Sequence, residues 1–208
     1  LYGKRLVEID PASGATLRSV SVGTMASGVA ATPDGKTILV ADRDDNAISI
    51  IDAASFQRVA TLAVGRHPFG VAIDAAGARA YTADVESDSV SVIDLSARRV
   101  VATLKTGSRP YTVALAAGRI FVANQHADSV SVFDAASLAP VGEVKVGEYP
   151  EGVAATRDGA KVLVACWFSN ELWSIDPVRL SVAGRATTGD GPRAYGLFTG
   201  AGAPRPPD

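Results

Sequence analysis

Two markers recur along the whole chain at one interval. An apolar residue followed by Asp appears at Ile9-Asp10, Ile51-Asp52, Ile93-Asp94, Phe133-Asp134 and Ile175-Asp176, with the aspartates 42, 42, 40 and 42 residues apart. A glycine after Val or Thr appears at Gly23, Gly65, Gly107, Gly147 and Gly189, with the same intervals. Two markers in lockstep define a repeated structural unit, and a chain made of such units folds as an array.

Each period predicts four short strands. Between Gly65 and Thr106 they fall at 69–73, 79–83, 89–93 and 99–105. Ser89-Val90-Ser91-Val92 and Ser129-Val130-Ser131-Val132 alternate polar and apolar in the β manner. Turn residues stand between strands at Pro33-Asp34-Gly35, Ala76-Gly77, Ala117-Gly118 and Asp158-Gly159. The Asp closing each third strand is expected to accept backbone N–H bonds in its turn, a structural role. No amphipathic helical stretch of useful length appears. Four antiparallel strands per roughly 40–45 residues form the blade of a β-propeller, an all-β fold. One such sheet cannot bury both faces alone, so blades stack.

Complete blades span 23–64, 65–106, 107–146 and 147–188, and the two ends, 1–22 and 189–208, amount to one further period. The expectation is one propeller domain over 1–208, with a closing blade shared by both ends. The N-terminal piece predicts a third and fourth strand at 4–9 and 16–22. The C-terminal piece predicts a first strand at 195–198 and a stop at Pro204-Arg205-Pro206-Pro207. The second strand of that blade is missing, which leaves inner backbone groups unpaired. A missing N-terminal segment is therefore expected: about ten residues would complete five blades, and about ninety would complete seven.

Tyr81-Thr82-Ala83-Asp84 and Val122-Ala123-Asn124 resemble the YVTN family of propeller repeats. So do the following Ser-Val-Ser-Val-Ile-Asp and Val-Gly-x-x-Pro-x-Gly-Val-Ala strings. No blade carries Tyr-Val-Thr-Asn whole; the nearest versions are Tyr-Thr-Ala-Asp and Phe-Val-Ala-Asn. The resemblance covers essentially the whole chain. It implies a ring of seven blades and a periplasmic or secreted location. Members include lyases, lactonases and subunits of quinone-dependent dehydrogenases, beside many binding proteins.

Composition narrows the function classes. Twenty Lys and Arg against 22 Asp and Glu give a net charge of −2, without a basic run. A phosphate-neutralising face, and with it a nucleic-acid partner, is not expected. The longest apolar runs, such as 113–117, fall far short of the roughly 18 residues that cross a bilayer. The single cysteine, Cys166, excludes an intramolecular disulfide framework. There is no Gly-x-Ser-x-Gly elbow, no His-Glu-x-x-His pair and no Cys-x-x-Cys-His haem motif. No catalytic constellation, metal or cofactor of the chain's own is expected.

Variation concentrates in loops. In a propeller, the loops joining blades and the loops joining second to third strands share one face, where ligands usually bind. The inter-blade loops place Arg66, His67, Arg109, Tyr149, Glu151 and Arg193 around the expected channel mouth. Their Arg and His groups suit a small anionic ligand. The second loop set is acidic at Asp42-Arg43-Asp44-Asp45-Asn46 and Asp84-Val85-Glu86-Ser87-Asp88. Its third member, Asn124-Gln125-His126-Ala127-Asp128, adds His126. Asp and Asn oxygens are Ca²⁺ ligands, but the Gly and Glu of an EF-hand loop are missing.

The fourth blade departs from the pattern. Cys166 stands where the others carry Asp42, Asp84 and Asn124, Trp167-Phe168-Ser169-Asn170 follows, and Trp173 replaces a repeated Ser. Cys166 with a His reads as a nucleophile pair or soft-metal site, or as a small buried residue beside gap-filling Trp. The leading expectation is a non-catalytic binding propeller presenting its rim to a protein or small anionic ligand. The alternatives are a lyase or lactonase-like hydrolase with His67 or His126 as base, and a subunit docked in a redox complex.

Overall fold

A computed structural model describes residues 3–194. The described residues are all-β apart from one 3-10 turn at Arg43–Asp45. The chain divides into two compact units, Leu1–Val113 and Ala114–Asp208.

The first unit opens with a two-stranded antiparallel sheet, β1 (Arg5–Ile9) and β2 (Thr16–Ser21). The first complete blade is β3 (Ala26–Ala31), β4 (Thr37–Asp42), β5 (Ala47–Asp52) and β6 (Gln57–Ala63). The second is β7 (Pro68–Ile73), β8 (Arg79–Asp84), β9 (Ser89–Asp94) and β10 (Arg99–Lys105). The unit boundary falls within β11 (Pro110–Ala116), which heads a third blade of β12 (Arg119–Asn124), β13 (Ser129–Asp134) and β14 (Pro140–Lys145). The fourth blade is β15 (Pro150–Ala155), β16 (Val162–Cys166), β17 (Glu171–Asp176) and β18 (Ser181–Thr187). In every blade the strands lie in sequence order. These sheets are β-propeller blades, and their strands lie within a residue or so of the expected positions. The strand expected at 195–198 and the Pro-rich stop lie outside the described residues.

Local chemistry sets the turns. Gly35, Gly77, Gly118 and Gly159 adopt φ of 70°, 68°, 70° and 68° between first and second strands, a conformation that glycine adopts without steric cost. After each third strand the Asp accepts from the turn. Asp52 Oδ1 takes Ser55 N–H at 2.7 Å, Asp134 Oδ1 takes Ser137 N–H at 2.7 Å, and Asp94 and Asp176 do likewise at 2.9 Å. Turn hydrogen bonds hold all four carboxylates below the usual Asp range.

The cores follow the alternation. In the first unit, Leu39, Ile48 and Ile50 pack with Ala80 and Ile93 of the next blade. In the second, Phe121, Val130 and Val132 pack with Val153, Val164 and Ile175. First strands of neighbouring blades also meet backbone to backbone. A Cβ on Gly70 would lie 2.7 Å from the Tyr111 carbonyl and 2.8 Å from Thr112 Cα. Gly28 faces the Phe69 carbonyl in the same way, and a Cβ on Gly152 would meet the carbonyl of Ala194, which lies beyond β18 and in no described strand.

Candidate functional site

Beneath the loops each of the first three blades has a buried polar latch at the end of its second strand. In the first, Asp42 accepts the Ser49 hydroxyl at 2.5 Å and Gly23 N–H at 2.8 Å. In the second, Asp84 accepts the Ser91 hydroxyl at 2.7 Å. In the third, Asn124 Nδ2 donates to Ser131 at 2.8 Å and Ser129 at 3.1 Å. Burial pushes the Asp42 carboxyl up, and that of Asp84 up to about 7. The aspartates that head both acidic loops thus point inward and serve the fold. Among the described residues, no group of three or more His, Cys, Asp or Glu is placed to hold a metal.

In the fourth blade Cys166 stands in the place of the latch residue. Cys166 is fully buried beside Val164 and Ile175. Burial pushes its thiol up to about 12, so it carries no thiolate at neutral pH and is poorly suited to nucleophilic or soft-metal chemistry. Trp173 Nε1 donates to Glu171 at 2.8 Å. Here Cys166 is a small core residue.

Above the latch, a clasp ties each loop pair to the next. Asn46, Asp88, Asp128 and Asn170 are left-handed, with φ of 54°, 49°, 50° and 54°. Their Oδ1 atoms accept the N–H of His67, Arg109, Tyr149 and Gly191 at 2.9, 2.8, 2.9 and 2.8 Å. Asn and Asp adopt this backbone more readily than other non-glycine residues. The clasp aligns His67, Arg109 and Tyr149 at equivalent rim positions.

In the first unit the expected bases gather on one residue, Glu86. Arg66 Nη2 donates to the Glu86 carbonyl at 2.7 Å, His67 Nδ1 lies 3.4 Å from Glu86 Oε1, and Arg109 Nη1 lies 3.7 Å from the same oxygen. Behind them Phe69 and Tyr111 stack at 4.1 Å. The pairing partly neutralises the charge that was expected to face an anion.

In the second unit the rim is aromatic. The Trp167 and Phe168 N–H groups donate to the carbonyls of Tyr149 and Glu148 at 3.0 and 3.2 Å, which joins the two loops. Phe168 lies 4.4 Å from Tyr149 and 4.8 Å from Trp167 between ring centroids. His126 adjoins Tyr149, with Nε2 3.3 Å from the hydroxyl. Arg193 lies 3.6 Å over the Trp167 ring and 3.3 Å from Glu151 Oε2. Glu151 is 2% exposed, and its Oε1 takes Gln125 Nε2 at 2.8 Å. Gly191 has φ of 62°, and a Cβ there would lie 2.6 Å from Trp167 Nε1, so only glycine fits beside that ring.

Expected residues Tyr149, Glu151, Arg193, His126 and Trp167 therefore come together, whereas Arg66, His67 and Arg109 form the Glu86 cluster of the first unit. Sequence reasoning named Glu86, Gln125 and the exposed Phe168 only as members of their loops and did not single them out as site residues. The fourth-blade departure that pointed at Cys166 also held Phe168, two residues further on.

Fold and rim together define a β-propeller repeat protein with an aromatic loop face. No family model and no curated protein sequence matches the chain. Many solved structures resemble it, and two illustrate the likeness. One is hydrazine synthase from Kuenenia stuttgartiensis, with TM-score 0.71 and 23% identity over 79% of this chain and 50% of that one. The other is a functionally unknown protein from Desulfotomaculum acetoxidans DSM 771, with TM-score 0.74 and 16% identity over 92% of this chain and 67% of that one. The chain spans half the length of the first and about two thirds of the second. At such identities the likeness is one of fold.

Proposed function

We propose that this is a YVTN-type propeller protein acting outside the cytoplasm as a non-catalytic binding module. Its contact surface is the aromatic loop face of the second unit, and its occupant is a protein partner. The observation that carries this reading is Phe168, 58% exposed at a loop tip where the other blades carry Asp44, Glu86 and His126. A large ring in water is unfavourable, and one ordered against Tyr149 and Trp167 is already positioned for contact. Tyr, Trp and Arg are the side chains that dominate protein–protein hot spots. A protein partner suits this face better than a small anion, because its Arg193 already lies by Glu151; in the first unit His67 and Arg109 likewise lie by Glu86. Family and location rest on the repeat motifs, two of which end β8 and β12. Docking into a larger redox assembly would use the same surface.

Site-specific photocross-linking tests this. A benzophenone side chain at position 168 is expected to trap a discrete protein adduct in cells of the natural source. The same group replacing Val178, 67% exposed in the turn beyond β17, is expected to trap none. Equal yields from both positions, or none from 168, would remove the assignment.

A further inference from the structure

We propose that the aromatic face of the second unit takes a basic segment of its protein partner, with arginine or lysine side chains against Tyr149 and Phe168. The proposal rests on the binding-module reading and names the partner's chemistry.

Charge around the rings carries it. Asp128, Glu148 and Asp190 are all exposed on these loops. Asp128 is held through its bond to Tyr149 N–H, Glu148 through its carbonyl bond to Phe168 N–H, and Asp190 beside Asn170 at 3.3 Å. Among the described residues, none of these three carboxylates is in an ion pair. The neighbouring bases are already matched: Arg193 with Glu151, and Lys145 with Glu143 at 3.0 Å. Unbalanced negative charge thus stands beside the exposed Phe168 ring and the half-buried Tyr149.

The rings prefer the same partner. A cation over an aromatic face is attracted by the ring quadrupole, most strongly where water is excluded. Arg193 over Trp167 shows that arrangement within the chain. An acidic partner would be repelled by the three carboxylates. A wholly apolar one would desolvate them without compensation. A basic segment satisfies both carboxylates and rings, and arginine should exceed lysine because its planar guanidinium stacks.

Titration of the full chain with blocked hexapeptides tests this. Matched peptides carry two arginines, two lysines or two glutamates. At low ionic strength the arginine peptide is expected to bind roughly tenfold more tightly than the glutamate peptide, a gap that narrows with salt. Phe168→Ala should remove most of that binding, and Glu148→Gln should weaken it several-fold. Both positions are exposed loop sites, and circular dichroism checks that each variant folds. Equal or tighter binding of the glutamate peptide, no detectable binding of any peptide, or indifference to Phe168→Ala would overturn the proposal. A protein adduct at position 168 together with such a result would discard the basic partner alone. Loss of the adduct as well would discard the binding face.

Discussion

Gly70→Val is expected to destabilise the first unit by ~3 kcal/mol or more, toward the upper end of what overpacking costs. The new Cβ would meet the Tyr111 carbonyl at 2.7 Å and Thr112 Cα at 2.8 Å. Both are backbone atoms of the next blade's first strand, so no rotamer change relieves the collision. The strands must separate, and with them the apolar contacts that this register holds. The control is Gly142→Ala in β14, where a Cβ meets only Leu180 Cδ1 at 3.5 Å. That variant should stay within about 0.5 kcal/mol of the parent, as surface substitutions usually do. Urea unfolding of the two variants checks both values. A Gly70→Val protein as stable as Gly142→Ala would mean that the first strands do not approach as described.

Asp84→Asn is expected to remove a pH dependence and to stabilise the protein above neutrality. Burial raises this carboxyl from 3.8 to about 7. The folded chain therefore keeps its proton up to about pH 7, whereas the unfolded chain releases it near pH 4. Stability falls as pH rises through that window and levels off above it. Ionising so buried a group costs on the order of 4 kcal/mol. Asn124 shows that an amide fits the equivalent place in the third blade, where it donates to Ser129 and Ser131. An amide introduced at position 84 would meet Ser89 and Ser91 in the same way. Thermal unfolding should find the variant close to the parent at pH 4–5 and clearly more stable at pH 8. A variant less stable than the parent at pH 8 would show that the ionised carboxylate is needed. Asp42 shifts in the same direction, so a shallower slope of the same sign should remain.

The repeat made the blades legible, because strand alternation, turn glycines and turn aspartates are all local effects. Asp52, Asp94, Asp134 and Asp176 do what their spacing predicts. The rim was legible only as a set of positions. Arg66, His67 and Arg109 look unpartnered in sequence, because Glu86 lies on a different loop and only folding brings its carbonyl to Arg66 and its carboxylate to His67 and Arg109. Asp42 and Asp84 look like solvated loop acids, yet strand register turns them under the sheet toward Ser49 and Ser91. The clasp was hidden for the same reason: Asn46, Asp88, Asp128 and Asn170 resemble ordinary turn formers until their N–H donors from the next blade are seen. Cys166 drew attention by its chemistry, but burial makes it inert, and the informative residue of that break is Phe168.

The most direct measurement is the affinity of the partner trapped at position 168 for two surface variants, Phe168→Asp and Val178→Asp. Both replace an exposed apolar residue by a charge, one on the loop face and one in the turn at the other end of β17. If the aromatic loop face is the binding surface, Phe168→Asp loses about 30-fold or more, as a hot-spot ring would, while Val178→Asp stays within roughly twofold. Equal affinities for the two variants, or a loss confined to Val178→Asp, would contradict it.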